Sequence, residues 1–404
     1  MYQGAAVGQL IISVVSFIVV PAGQQGGDAS GTIVMRSNHR PFVVFAFLLL
    51  TSIASGVPTE RHLLYVATPG IRADAQYGGA GILVFDMDRD HQFIRRIMVP
   101  SLGDSKHPQA AKGICASAAT GRLYVSTPKD LTCMDLTNDK ILWQKSYDSG
   151  CDRMSISPDG KVIYEPTFEK DDWHVIAADT GEEIARISPK SGAHNTVFGP
   201  DGKHCYLAGL RSPLLTVADV ATHTVGQTVG PFGGPVRPFT VNGRSTLCYV
   251  CVNGLLGFEI GDLSTGKKLH RVEVTGFSMG AVARHGCPSH GVGLTPDEKE
   301  VWVSDGHNSR MHIFDNTVMP PKQVASIELR DQPGWITFSI DGRFAYPSTG
   351  EVIDTKTRKI LLGLKDEAGA AVHSEKLLEI DFAGDKPSRS GDQFGVGRVT
   401  GTMN

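Results

Sequence analysis

Basic, imidazole and aromatic side chains recur at one position of a unit that this sequence repeats. Most units contain a tight-turn motif such as Pro-Asp-Gly, and the recurring residue lies four to six positions before it. His194 and His290, for example, each lie six residues before the turn proline. Alignment of the units places seven side chains around one opening: Lys112, Arg153, His194, Arg237, His290, Trp335 and His373. Loops on the same side add Arg72, Asp74, Arg211, Asp305, His307 and Arg310.

This set is cationic, and it predicts a site for a small polar or anionic ligand. An arginine guanidinium donates two parallel hydrogen bonds to a carboxylate or a phosphate. A partner protein bound at the same opening is a second interpretation. Polar side chains also line water-filled channels without binding a ligand, and that interpretation stays open beside the other two.

The histidines also allow an enzymatic interpretation, because imidazole titrates near neutral pH and can exchange protons with a substrate. A lactonase-like or lyase-like activity would use His194, His290 or His373 as general acid or base. The sequence does not identify a catalytic residue among them.

A metal site is a further alternative, suggested by Cys287-Pro-Ser-His290 with His285 and His307 nearby. Thiolate and imidazole together suit copper or zinc. A histidine with a structural hydrogen bond is the simpler interpretation of each residue, so we assign no metal ligand from the sequence. The cofactor is unknown at this level.

The repeats themselves predict β-structure. The clearest unit contains Met154–Gly160, a Tyr-containing strand, a strand that ends near Asp179, and a Thr-Gly turn. An Asp at the end of the third strand recurs with gaps of 49, 44, 40, 43, 53 and 39 residues. Four-stranded propeller blades repeat at about 40–50 residues. Seven such positions therefore predict seven blades: Asp86, Asp135, Asp179, Asp219, Asp262, Asp315 and Asp354.

The first unit lacks an innermost strand, and the end of the chain supplies a spare one. Leu63–Val66 matches the second strand of the other units, and Lys376–Phe382 has no unit of its own. We therefore expect an all-β, seven-bladed β-propeller closed by pairing of the C-terminal strand with the first blade. A ring closed in this way leaves no blade without its inner strand.

The repeat resembles the YVTN family of seven-bladed propellers, within the quinoprotein amine dehydrogenase-like group. The residues that carry the resemblance are Leu64–Thr68, Leu123–Thr127 and Val301–Asp305, each followed by an apolar strand that ends in Asp. The resemblance covers residues 61–382 and implies the fold more strongly than a function, since this architecture hosts many activities. It adds one alternative, a redox or metal accessory protein similar to the amine dehydrogenase heavy subunit.

The N-terminal region predicts export. Basic residues follow Met35, an apolar run spans Phe42–Leu50, and Ser52-Ile53-Ala54 has the small-residue pattern of a cleavage site. This is the form of a secretory signal peptide. We therefore divide the chain into an upstream extension (1–34), a signal peptide (35–54), the propeller (61–382) and a C-terminal tail (383–404), and we expect a periplasmic or extracellular protein with no membrane span after processing.

The charge balance of the chain bears on the class of partner it can bind. Lys and Arg number 39 and Asp and Glu 42, for a net charge of -3. This balance argues against nucleic acid as a partner, because phosphate backbones require a basic surface.

The seven cysteines have irregular spacing, and we expect most of them to be buried free thiols.

Overall fold

The computed structural model describes residues 60–104 and 106–400 of the chain. These residues form seven antiparallel sheets arranged as the blades of a propeller. The only helices among them are two 3₁₀ turns, Met87–Arg89 and Pro100–Leu102. The predicted all-β fold and the predicted number of blades are confirmed.

The first ten strands build most of blade 1, all of blade 2 and three of the four strands of blade 3. In chain order they are β1 (Glu60–Thr68), β2 (Gly81–Asp86), β3 (Gln92–Ile97), β4 (Gly113–Ser117), β5 (Arg122–Ser126), β6 (Asp130–Asp135), β7 (Ile141–Ser146), β8 (Ser155–Ile156), β9 (Val162–Pro166) and β10 (Trp173–Ala177).

The next nine strands complete blade 3 and form blades 4 and 5. They are β11 (Glu183–Ile187), β12 (Ala193–Phe198), β13 (His204–Gly209), β14 (Leu215–Asp219), β15 (Thr224–Val229), β16 (Val236–Val241), β17 (Leu247–Val252), β18 (Gly257–Asp262) and β19 (Lys267–Glu273).

The last ten strands form blades 6 and 7 and then return to blade 1. They are β20 (Val292–Leu294), β21 (Glu300–Asp305), β22 (Arg310–Asp315), β23 (Lys322–Glu328), β24 (Ile336–Phe338), β25 (Phe344–Pro347), β26 (Glu351–Asp354), β27 (Lys359–Gly363), β28 (Leu377–Ala383) and β29 (Lys386–Ser390).

The recurring aspartate closes a turn after the third strand, as its position in the repeat predicts. At six of the seven positions its carboxylate accepts a hydrogen bond from a backbone N–H two or three residues later. Asp135, for example, lies 2.7 Å from the Thr137 N–H. Such Asx turns fix the hairpin between the third and fourth strands.

Strand alternation puts the core between the blades. In β1, Leu63, Tyr65 and Ala67 face blade 2, whereas Leu64 and Val66 face blade 7. Side chains alternate between the two faces of a strand, so each blade buries one face against each neighbour. The buried apolar residues accordingly form seven clusters, one at each interface between blades.

The C-terminal strand closes the ring. β28 pairs antiparallel with β1 from Leu377 opposite Val66 to Ala383 opposite Glu60, and it supplies the inner strand that blade 1 lacks. It also lies between the inner strands of blades 7 and 2. This confirms the predicted closure. β29 then extends the same sheet beyond the predicted end of the propeller at residue 382.

Residues 391–400, which we call the tail segment, cross the interior of the ring. The Gln393 amide oxygen accepts from the Ile114 N–H of blade 2, and its amide nitrogen donates to the Met154 carbonyl of blade 3. The Gly395 carbonyl accepts hydrogen bonds from Thr240 of blade 5 and Leu294 of blade 6. The sequence places residues 383–404 in a tail outside the propeller, whereas the structure packs the tail segment against the inner strands.

Three further predictions concern the ends of the chain and the cysteines. The signal peptide and the upstream extension lie outside the described residues. Within the described residues, no helix has the length and apolarity that crossing a membrane requires. All seven cysteines are buried free thiols, as expected for most of them.

The interface between blades 1 and 7 predicts a response to acid. His91, at the start of β3, is buried, and its Nε2 lies 2.9 Å from the Tyr346 hydroxyl of blade 7. Burial lowers the pKa of His91 to about 4, with a contribution from Arg343 and against the attraction of Asp90 and Asp88. Unfolded His has a pKa near 6.5, so the unfolded chain binds this proton first and stability falls as the pH drops from 6.5 towards 4.

We expect the protonation equilibrium of His91 to lower the free energy of unfolding by about 3 kcal/mol at pH 4, relative to its value at neutral pH. The variant His91→Asn suits the left-handed backbone at this position, where φ is 54°. Denaturant titration of both proteins at several pH values measures the effect. A wild-type loss that exceeds that of the variant between pH 6.5 and 4 agrees with the prediction, and parallel losses contradict it.

Candidate functional site

The predicted residues meet at one end of the inner strands. Lys112 precedes β4, Arg153 precedes β8, His194 and Arg237 lie at the starts of β12 and β16, and His290 precedes β20. All five line one cavity of about 180 Å³. These five side chains therefore meet in one cavity, although they come from five different blades. We call this cavity the channel mouth.

Three predicted residues do not line the channel mouth. Trp335 is buried behind it, His373 stacks on Tyr77 at a ring distance of 3.9 Å, and His307 is exposed, with Nδ1 3.1 Å from the Ala281 carbonyl. His307 lies in the loop between β21 and β22, away from the inner-strand position on which the repeat alignment rests.

The channel mouth carries an excess of positive charge. Its lining includes six basic residues and two carboxylates. The basic residues are Arg72, Lys112, Arg153, Arg237, Arg284 and Lys376, and the carboxylates are Glu169 and Glu375. Three histidines, His194, His285 and His290, complete the titratable lining. A cavity lined in this way creates a positive potential that attracts anions.

Glu375 is the centre of the buried polar contacts. Its Oε2 lies 2.6 Å from Arg153 Nη2 and 2.5 Å from Lys376 Nζ. Its Oε1 lies 3.1 Å from His285 Nδ1 and 3.8 Å from His290 Nδ1. One carboxylate therefore joins two cations on one side and two imidazoles on the other.

The surrounding charges set the protonation of this cluster. Burial disfavours the Glu375 carboxylate, but Lys376, His285 and Arg153 outweigh burial and hold its pKa well below the ordinary value. Burial, with repulsion from Arg153, lowers the pKa of Lys376 to about 7 despite the attraction of Glu375. Burial also lowers the pKa of His290 well below its usual range. His290 is therefore neutral at neutral pH and keeps a lone pair for bonding.

A second buried chain of contacts holds Arg153 in place. Asp152 Oδ2 lies 2.7 Å from His194 Nδ1, and His194 Nε2 lies 3.1 Å from Arg153 Nη1. The Asp152 N–H donates to Glu165 Oε1 at 2.7 Å. Arg153 also lies over the Trp335 ring at 5.1 Å. The guanidinium is thus oriented from three directions, which limits the entropy lost when a ligand binds it.

The Nε of Arg237, like that of Arg153, is buried without a hydrogen-bond partner among the described residues. The Arg237 guanidinium packs against the backbone of Gly286, where any larger side chain would collide with Nη2. A buried N–H donor without a partner costs roughly 1–3 kcal/mol, so such groups usually meet a ligand or water.

The tail segment contacts Trp335, which packs behind the channel mouth. The Trp335 indole N–H donates to the Gln393 carbonyl, and Phe394 packs against the indole at a ring distance of 5.9 Å. On its other side Trp335 lies 5.8 Å from Lys376 Nζ. Trp335 therefore lies between the tail segment and the cationic residues Arg153 and Lys376.

Two important residues were missing from the sequence prediction. Glu375 and Lys376 directly follow His373, which the alignment had already placed beside the closing strand. The available signal in the sequence was the pair of charged residues, Glu375 and Lys376, directly before an apolar strand. The predicted metal motif also differs, because Cys287 Sγ donates to the Ser289 carbonyl at 3.1 Å instead of joining the histidines.

Comparisons with known proteins add little. No family model and no curated protein matches this sequence. Among solved structures, the chain is similar to a hydrazine synthase of Kuenenia stuttgartiensis, with 13% identity, a TM-score of 0.42, and coverage of 63% of this chain and 95% of that one. The YVTN resemblance is not confirmed, and the propeller fold follows from the strand topology described above.

Proposed function

We propose that this protein is an exported propeller that binds a small anion, carrying a carboxylate or a phosphate, at the channel mouth. The excess of basic residues supports an anion over a neutral ligand. Export is proposed from the sequence of residues 35–54, and distant membership of the YVTN group from the repeat. The partner-protein, lactonase-like or lyase-like, and redox-accessory alternatives remain predictions.

The size of the cavity restricts the ligand. Sites for drug-sized molecules usually measure about 300–1,000 Å³. The channel mouth, at about 180 Å³, is smaller. It suits inorganic phosphate or a short carboxylic acid such as succinate.

The observation that carries the proposal is the arrangement of Arg237 relative to Arg153. The Arg153 guanidinium is partly neutralised by Glu375, which lies 2.6 Å away. Arg237 and Arg153 each have a buried Nε without a hydrogen-bond partner among the described residues. An oxyanion in the cavity would supply an acceptor to such a donor, and charge-assisted hydrogen bonds are the stronger kind.

The variant Arg237→Gln tests this role. We expect the affinity for phosphate or succinate to fall about 10-fold to 100-fold, since a hydrogen bond to a charged group contributes about 1.5–3 kcal/mol. Isothermal titration calorimetry at low ionic strength, with a chelator present, gives the dissociation constants.

Arg310→Gln is the matched control, because Arg310 pairs with the exposed Glu328 and does not line the cavity. Equal affinities for wild type and both variants would refute the proposal. So would the absence of any binding of either anion at millimolar concentration.

A further inference from the structure

His285, His290 and Glu375 form a compact cluster of metal-ligating side chains in the wall of the channel mouth. All three residues are buried, with relative exposures of 8%, 5% and 3%. Each offers one ligand atom, and these atoms all lie within 4.8 Å of one another. Two come from the loop before β20 and one from the segment before β28, so the ring closure brings the third to the other two.

The separations agree with shared coordination of one ion. Two ligand atoms bound at about 2.0–2.1 Å to a tetrahedral metal lie about 3.4 Å apart. Glu375 Oε1 lies 3.1 Å from His285 Nδ1 and 3.8 Å from His290 Nδ1. The two imidazole rings stack with centroids 5.0 Å apart. Little movement is therefore needed to bring the three residues around an ion.

One nitrogen of the cluster is buried without a hydrogen bond that would account for its burial. His285 Nε2 is buried and has no hydrogen-bond partner among the described residues. The His285 ring also packs so closely on Gly334 that no larger residue would fit there. His290 Nδ1 lies 3.1 Å from the Gly334 carbonyl, and an ion bound at that nitrogen would replace this hydrogen bond.

The neighbouring charges restrict how the ion binds. Arg153 and Lys376 both contact Glu375 Oε2, which leaves Oε1 on the side of the histidines. Their hydrogen bonds would hold the carboxylate in position, as outer contacts commonly do around metal ligands. His285, His290 and Glu375 all line the cavity, so a fourth coordination position would open towards it.

We propose that His285, His290 and Glu375 bind one divalent transition-metal ion, with zinc as the best match. Two imidazoles and one carboxylate form a common ligand set for catalytic zinc, and three protein ligands leave a position for water or an anion. Harder ions such as Mg²⁺ and Ca²⁺ prefer sites made of oxygen ligands. This site is independent of the proposed anion binding, which Arg237 can support without a metal.

The experiment uses the folded protein freed of metal with a chelator and then titrated with Co²⁺ or Zn²⁺. Co²⁺ reports its coordination through visible absorption, and elemental analysis gives the stoichiometry of Zn²⁺ after desalting. We expect one equivalent to bind, and we expect His285→Gln and His290→Gln each to raise the dissociation constant at least 100-fold. His373→Gln is the control, because His373 is buried in a neighbouring loop outside the cluster.

Thermal unfolding of each variant confirms that it is folded before binding is measured. Tight binding that all three variants retain would overturn the site, as would a wild-type protein that retains less than about a tenth of an equivalent. Phosphate titration of the chelated protein separates the two proposals. If phosphate binds and metal does not, only the metal site fails, and the reverse result removes only the anion site.

Discussion

Deletion of residues 377–404 is expected to abolish folding. This deletion removes β28, the inner strand of blade 1, and exposes the edge of β1 that it covers. It also removes Leu378, Ile380 and Phe382 from the cluster between blades 1 and 2. Loss of one large core side chain costs about 2–5 kcal/mol. The loss of three is therefore comparable to the roughly 5–15 kcal/mol that stabilises a typical domain.

Soluble yield, circular dichroism and thermal unfolding measure the result. The matched control is deletion of residues 401–404, which leaves both strands and the tail segment in place and should unfold as the wild type does. Leu378→Ala provides a milder test, with an expected loss of about 2–5 kcal/mol in the free energy of unfolding. A truncated protein that still unfolds cooperatively at the wild-type temperature would contradict the closure.

The second large effect is expected from Glu375→Gln. Glu375 is the shared partner of Arg153 and Lys376, and all three side chains are almost fully buried. Removal of one partner from a buried ion pair typically costs about 3–5 kcal/mol, because the remaining charge stays buried with less compensation. We expect the free energy of unfolding at pH 7 to fall by that amount in denaturant titrations.

A second substitution separates charge from packing. Arg153→Met removes one of the two cations that lose Glu375 as a partner, so adding it to Glu375→Gln should restore part of the lost stability. The exposed carboxylate of Glu328 pairs with Arg310, and Glu328→Gln should cost less than about 1 kcal/mol. Similar losses for the buried and the exposed carboxylate would show that Glu375 does not stabilise the two cations.

The fold could be predicted because the seven blades have the same structural requirements, so the same residue pattern recurs in the sequence. Each blade needs a tight turn, and Asp135 or Asp354 marks it by accepting a hydrogen bond from the backbone nearby. The closing strand could be predicted because one unit lacked a strand and Leu377–Ala383 had no unit. A strand or turn assigned in one unit can therefore be checked against the equivalent positions of the six other units.

The site could be predicted only in part. Arg153 and His194 occupy equivalent positions of neighbouring repeats, so topology alone brings them together, and the structure places them 3.1 Å apart. Glu375 lies outside any complete repeat and had no counterpart to align with. The contact of Gln393 with Trp335 depends on how the tail segment crosses the ring, and no local pattern in that segment encodes the direction of its path.

The most direct test of the central claim is a crystal structure with selenate, an oxyanion whose selenium is located by anomalous scattering. The crystals should be grown at low ionic strength and soaked at millimolar selenate, with Arg237→Gln crystals treated in parallel. We predict a selenium peak in the channel mouth, within hydrogen-bonding distance of Arg237 and Arg153, that is absent from the variant. A channel mouth that holds only water in the wild type, or an equal peak in both proteins, would contradict anion binding by these residues.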